Sequence, residues 1–253
     1  MDTTVHISEN ILELTKLAAE HFVDLAVASV REKGLFTVAL SGGSTPKSLY
    51  SLLASETAPF RAQLPWGEIA FFWGDERHVP PDHPDSNYRM AWDAMLSHVP
   101  VPTSNIHRIK SEYPDAGKVA EEYETELCTF LDLPSERLPR FDLILLGMGS
   151  DGHIASLFPG SPVTRETKKL VAAVWIDKLQ SSRITLTPPV LINAASAFFL
   201  VSGAAKAVAL HKVLEGDEDF ERLPAQVMRT SKGSVRWFVD QSAAALLHGQ
   251  NYR

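Results

Sequence analysis

A histidine two residues after an aspartate, both delivered by a glycine-rich segment, is the pattern in this chain best suited to general acid–base work: Gly147-Met148-Gly149-Ser150-Asp151-Gly152-His153. Imidazole, with an unperturbed pKa of ~6.5, is readily a neutral base near pH 7. A carboxylate at Asp151 would fix its tautomer and orientation. The same residues also fit plain turn chemistry, with Asp151-Gly152 as the turn and His153 as a helix cap. Gly147, Gly149 and Gly152 spell G-x-G-x-x-G, but a dinucleotide fingerprint opens a full helix in an early βαβ unit. Here Ile154-Ala155-Ser156-Leu157-Phe158 runs straight into Pro159-Gly160, which leaves little room for that helix.

Two earlier segments could hold an anion. In Ser41-Gly42-Gly43-Ser44-Thr45-Pro46 two glycines let the backbone approach a ligand, Thr45 is placed to cap a helix, and Pro46 suits its first turn. Amides at a helix N-terminus bind phosphate. The Walker pattern fails because Pro46 stands where it needs glycine. A tight strand-to-helix turn is the bland alternative, although it needs only one of the two glycines. The second segment is Gly74-Asp75-Glu76-Arg77-His78-Val79-Pro80. Its Asp75 and His78 fit acid–base work and Arg77 a phosphate clamp, whereas Glu76 and Arg77 fit a solvated loop equally well. His78, Asp82, His83 and Asp85 match no standard ligand spacing, so no metal is expected.

These segments need a scaffold that brings them together. Apolar periodicity and punctuation predict helices near 8–32, 46–55, 88–97, 115–132, 204–214 and 241–248, and strands at 35–40, 68–73, 141–146, 171–176, 183–187, 197–201 and 235–239. Residues 74–87 read as a long polar loop. Alternating strands and helices imply an α/β fold: a mostly parallel, doubly wound, Rossmann-like sheet with helices on both faces. Small insertions at 99–102 or 159–170 would form a minor subdomain. Without repeats or a Gly/Ser linker, one domain over residues 1–253 is expected. In such sheets ligands bind beyond the carboxyl ends of the strands, where all three segments fall.

The chain has 253 residues, 24 Lys+Arg against 31 Asp+Glu, and a formal net charge of -7. That balance speaks against nucleic acid or an anionic membrane as the main partner. The lone cysteine, Cys128, on the edge of a helical apolar stripe, fits a structural thiol in a reducing cytoplasm. No cleavable leader is expected, because Asp2, Glu9, Glu13, Lys16 and Glu20 interrupt any apolar run. The uncharged neighbourhood of Pro188-Pro189 and Asn193 reads as strand, short helix and strand rather than a membrane span.

In this order, Ala39–Pro46, Trp73–Pro80 with Ser86-Asn87-Tyr88, and Gly147–Gly160 resemble the 6-phosphogluconolactonase family. Arg183-Ile184-Thr185-Leu186-Thr187, Ser202–Ala207, Pro224-Ala225-Gln226 and Trp237–Asp240 extend the likeness over nearly the whole chain. Glucosamine-6-phosphate deaminases share the fold and two of the loops. They typically carry Asn-Glu-Pro after the histidine and Asp-Glu-Tyr in the second loop, where this chain has Ala155–Pro159 and Asp75-Glu76-Arg77.

The resemblance implies hydrolysis of 6-phospho-D-glucono-1,5-lactone to 6-phosphogluconate in the oxidative pentose phosphate pathway, with no cofactor. It casts His153 as base and then acid, and Asp151 as its partner. Amides of the glycine-rich loops would stabilise the oxyanion. The phosphate would sit on Ser41, Gly42, Gly43, Ser44 and Thr45, clamped by Arg77 and Lys206, with Asp75 and Gly149 also in the site. Arg183 begins a strand, so it reaches this edge only if that strand is antiparallel. A deaminase, a sugar-phosphate isomerase or a silent sugar-phosphate sensor are the rival assignments, and no residue pattern specifies an oligomeric state.

Overall fold

Strands buried on both faces form the middle of the molecule, because runs such as Phe36-Thr37-Val38-Ala39-Leu40 and Leu143-Ile144-Leu145-Leu146 have no polar face to show to water. A computed structural model of the chain describes residues 3–134 and 137–249. In order, its elements are β1 (Thr3–Ser8), α1 (Ile11–Lys33), β2 (Phe36–Leu40), α2 (Ser44–Ala54), α3 (Phe60–Gln63), β3 (Ile69–Trp73), β4 (Asp75–Arg77) and α4 (Asn87–Ala94). Then follow α5 (Ala116–Phe130), β5 (Leu143–Leu146), β6 (Val171–Ile176), β7 (Ser181–Leu186), α6 (Pro188–Asn193), β8 (Ser196–Val201), α7 (Ala207–Glu215) and β9 (Ser234–Asp240).

Six strands form one sheet in the order β1-β9-β8-β5-β2-β3, every neighbouring pair parallel. From β2 the chain moves outward to β3, then returns across β2 to β5, so the strand order reverses between β2 and β5. Right-handed crossovers running in opposite directions place their helices on opposite faces, which is the doubly wound arrangement expected. A second, antiparallel sheet has the order β4-β7-β6. Gly74 joins the two: its N–H donates to Leu40 O at 2.8 Å, and its C=O accepts from Leu186 N at 2.8 Å.

Local chemistry sets the ends of α1. Asn10 Oδ1 accepts from the amides of Leu12 and Glu13, and Gly34, at φ 77°, closes the other end in the left-handed region that glycine adopts freely. One face of α1, including Leu14, Ala18, Phe22 and Ala26, is buried. At the amino ends of β2 and β5, the Asp142 carboxylate accepts from Thr37 N at 2.8 Å and Thr37 Oγ1 at 2.9 Å, and from Lys33.

Three expectations change. The first segment is a strand, β1, before the helix, because Val5 and its β-branched neighbours pair with β9. The loop 74–87 opens with β4, paired to β7. No helix forms over 241–248; turns fold this stretch, with Asp240 accepting from Ala243 N and Ala244 N. So short a segment lacks the length to repay helix nucleation. Among the described residues no helix is long and apolar enough to cross a membrane. Burial and the Glu124 carboxylate push the Cys128 thiol up, as a structural thiol requires.

Asp142→Ala strands two buried donors on Thr37 at the sheet edge remote from the loops, and is expected to destabilise the protein by about 2–3 kcal/mol. Urea unfolding measures this; an unchanged midpoint would show that the Asp142 contacts contribute nothing.

Candidate active site

Parallel strands place their following loops on one edge, and the loops after β2 and β5 diverge from the point where strand order reverses. A cavity of about 220 Å³ opens there, lined by Ser41–Pro46, Asp75, Arg77, Asn87, Gly147–Gly149, His153, Ala155, Leu200–Ser202 and Lys206. Its position is the ligand crevice of open α/β sheets. Gly147 N donates to Ser41 Oγ at 3.2 Å and ties the two loops together.

The first loop turns earlier than expected. Gly43, at φ 102°, caps α2, so Ser44 and Thr45 already lie in the helix and no side chain caps it. Thr45 is therefore not the cap. Among the described residues the amides of Gly42, Gly43, Ser44 and Thr45 have no acceptor within the protein, which leaves four donors at a helix N-terminus. Gly42 is needed for a different reason from Gly43. A Cβ on Gly42 would fall 2.1 Å from Asn87 Oδ1.

In the third loop His153 Nδ1 bonds Asp151 Oδ1 at 2.5 Å, and Asp151 Oδ2 receives Lys178. With Nδ1 engaged, Nε2 is the nitrogen available to a substrate. The Phe158 ring stacks on the imidazole with centroids 4.1 Å apart. Gly149 permits this approach, since a Cβ there would lie 2.0 Å from His153 Nδ1. Partial burial pushes the Asp151 carboxyl up, but the hydrogen bonds from His153 and Lys178 outweigh it and hold the group well below the ordinary carboxylate range. Ala155, at φ 45°, follows in a conformation that costs a non-glycine residue about 1 kcal/mol or more. No helix opens after Gly152, in keeping with the rejection of a dinucleotide loop.

The second segment divides its labour. Asp75 is buried and accepts from Ser156 Oγ at 2.7 Å and Asn87 Nδ2 at 3.3 Å. Glu76 accepts from the amides of Arg77, Asn87 and Tyr88 and from Ser86 Oγ, which makes it a clamp on the start of α4. Burial pushes its carboxyl up against those four donors. Arg77 lines the cavity and donates to Asp85 O at 2.6 Å. Because β7 is antiparallel, Arg183 lies directly opposite Arg77. Burial, then Arg77, lowers the Arg183 pKa, as expected for cations set face to face. Arg183 flanks the cavity without lining it. Lys206 lines it from the turn before α7, and burial pulls its pKa down while Asp151 pulls it up.

Asn87, Ser156 and Lys178 escaped the sequence-based expectations as site residues. Asn87 had a signal in the doubled glycine, of which the turn requires only Gly43, so that Gly42 needs another reason. Ser156 and Lys178 had none, because their contacts with Asp75 and Asp151 join segments 81 and 27 residues apart. The Gly147 and Gly149 amides donate within the protein, to Ser41 Oγ and His153 O.

Fold and cavity together define an α/β protein whose strand-end loops combine a free helix N-terminus with a carboxylate-held histidine. The family model for glucosamine-6-phosphate isomerases/6-phosphogluconolactonase matches residues 9–237, and the chain belongs to that family. A 6-phosphogluconolactonase of Synechocystis is 43% identical over 225 residues, 89% of this chain and 88% of that one. A probable chloroplastic 6-phosphogluconolactonase 3 of Oryza sativa subsp. japonica is 40% identical over 247 residues, 92% of this chain and 73% of its own. The structure of 6-phosphogluconolactonase from Trypanosoma cruzi superposes with a TM-score of 0.86 at 31% identity, covering 98% of this chain and 99% of that one.

The depressed Asp151 pKa has a definite sign in stability. A carboxyl held lower in the folded state than in the unfolded chain, where it titrates near 3.8, stabilises the fold above that pH and loses the effect as pH falls further. The stability advantage of the wild type over Asp151→Asn in denaturant titrations is therefore expected to be full at neutral pH and to shrink as pH falls below about 4. A gap that did not shrink below about pH 4 would contradict the contact.

Proposed function

We propose that the chain is a 6-phosphogluconolactonase, a hydrolase that opens 6-phospho-D-glucono-1,5-lactone to 6-phosphogluconate, the second step of the oxidative pentose phosphate pathway. One observation carries the proposal: His153, held through Nδ1 by Asp151, lines the same cavity as a helix N-terminus with four free amides. The names of the relatives support the substrate, and the geometry supports the division of labour.

In this mechanism His153 Nε2 takes a proton from water as it attacks the lactone carbonyl. The tetrahedral intermediate collapses with cleavage of the bond to the ring oxygen, which takes the proton back from the imidazolium. Such general catalysis is worth about two to four powers of ten. Asp151 remains ionised and stabilises the imidazolium that forms between the two transfers. The phosphate rests on the Ser41–Thr45 loop, through the amides of Gly42, Gly43, Ser44 and Thr45, and is clamped by Arg77 and Lys206. An anion beside Arg77 also offsets its repulsion with Arg183, which is otherwise unfavourable. Asp75 and Asn87 supply polar groups for the sugar. The Met148 amide, unlike those of Gly147 and Gly149, has no acceptor among the described residues and is the glycine-rich loop's donor to the oxyanion. The site works without a cofactor or metal, as one domain over residues 1–253, in a cytoplasmic setting that suits the lone thiol.

His153→Ala is expected to lower kcat by about 10²- to 10⁴-fold, followed by proton release from freshly generated lactone above the spontaneous rate. Full activity in that variant would remove His153 as the base. Arg77→Ala and Lys206→Ala are each expected to raise KM about tenfold or more. Unchanged KM and turnover in both would remove the phosphate clamp, and ammonia release from glucosamine 6-phosphate without lactone hydrolysis would replace the reaction.

A further inference from the structure

Lys178 stands outside the cavity, on the turn between β6 and β7 in the second sheet. Its side chain is 53% exposed, and an exposed ion pair of this kind ordinarily contributes little to stability. What sets it apart is its partners. Its Nζ bonds Asp151 Oδ2, the oxygen that His153 leaves free, and sits 4.6 Å from the centroid of the Phe158 ring. Phe158 in turn stacks on His153. Four side chains therefore close a ring: Lys178 to Asp151, Asp151 to His153, His153 to Phe158, and Phe158 back to Lys178.

The turn that presents Lys178 is itself braced. Gln180, at φ 47°, completes it; Gln180 N and Nε2 both donate to Asp177 O, and Trp175 Nε1 donates to Asp177 Oδ1 at 3.0 Å. A solvated lysine needs no such support. A carboxylate anchored by one oxygen can pivot about its Cβ–Cγ bond. Anchored by both, it presents Oδ1 to the imidazole in one plane. The remaining charged groups around the histidine, Asp75, Arg77 and Lys206, line the cavity, whereas Lys178 acts from behind.

We propose that Lys178 is a positioning residue, which locks Asp151 by its second oxygen and so holds His153 in one tautomer and one plane from outside the substrate cavity. The second sheet thereby takes part in catalysis through its β6–β7 turn without touching substrate. The kinetic consequence rests on the lactonase function; the structural consequence does not.

The test uses the full chain with Lys178→Met, which keeps the aliphatic length and removes the charge, and Lys178→Arg, which keeps the charge. Lys178→Met is expected to lower kcat about tenfold with KM within about twofold, and Lys178→Arg to restore most of the loss. The unfolding midpoint of Lys178→Met falls only slightly, as the loss of one exposed ion pair allows. On an Asp151→Asn background the methionine substitution is expected to add nothing further. Nitrogen-15 spectra of the His153 ring, expected to report one Nδ1-protonated tautomer in the wild type and a mixture in Lys178→Met, read the positioning without any turnover. An unchanged kcat, a rise in KM alone, an additive loss on Asp151→Asn or identical ring spectra would each overturn the proposal. A wild type that fails to hydrolyse the lactone would overturn the function, and the ring spectra would still decide the role of Lys178.

Discussion

Parallel pairing across six strands is the constraint from which the site follows. It sends every strand's carboxyl end to one edge, and the reversal of order between β2 and β5 separates the loops that leave there. Those loops must part, which opens a crevice, and the Gly147–Ser41 hydrogen bond limits how far. At the opposite edge Asp142 fastens the start of β5 to Thr37 of β2. The crevice is thus pinned at its base by a buried carboxylate and bridged at its mouth by a hydroxyl.

The antiparallel sheet supplies what the parallel sheet cannot. Gly74 hands the chain from β3 to β4 while bonding to both sheets, so Asp75 and Arg77 enter the crevice from its side. A net charge of -7 is then no obstacle to an anionic ligand. Four uncapped amides, one guanidinium and one ammonium act over a few ångströms inside a low-dielectric wall, whereas the surplus acid is dispersed in solvent and screened beyond about 8–10 Å.

The parts of the fold that were legible in the sequence are those whose signal is local. β2, β3, β5 and β8 announce themselves as continuous apolar runs, and α1 by its period and its glycine stop. β1 was hidden because its alternating Thr3–Ser8 segment gains its burial from β9, more than two hundred residues away. The alanines of 242–245 have high helix propensity, yet the aspartate before them ties the chain into turns. In the site, glycines and titratable groups could be read because turns and acid–base work demand particular residue types. Ser156 and Lys178 could not, since any serine or lysine in their segments looks alike until the sheets bring it beside Asp75 or Asp151.

Three carboxylates near the crevice differ in what they can do for the histidine. Glu76 is surrounded by amides of one helix terminus and a serine, and burial leaves it a structural clamp. Asp75 meets a hydroxyl and a carboxamide, neutral donors that can neither give up nor gain a proton near neutral pH, so it can fix geometry but cannot take part in proton transfer through them. Asp151 alone meets an imidazole and an ammonium. Its charge is therefore the one whose stabilisation changes when the histidine gains a proton, which is the property a catalytic partner needs. The division follows from the donors that each acid meets, and those donors are set by which strand ends the two sheets bring to the same edge.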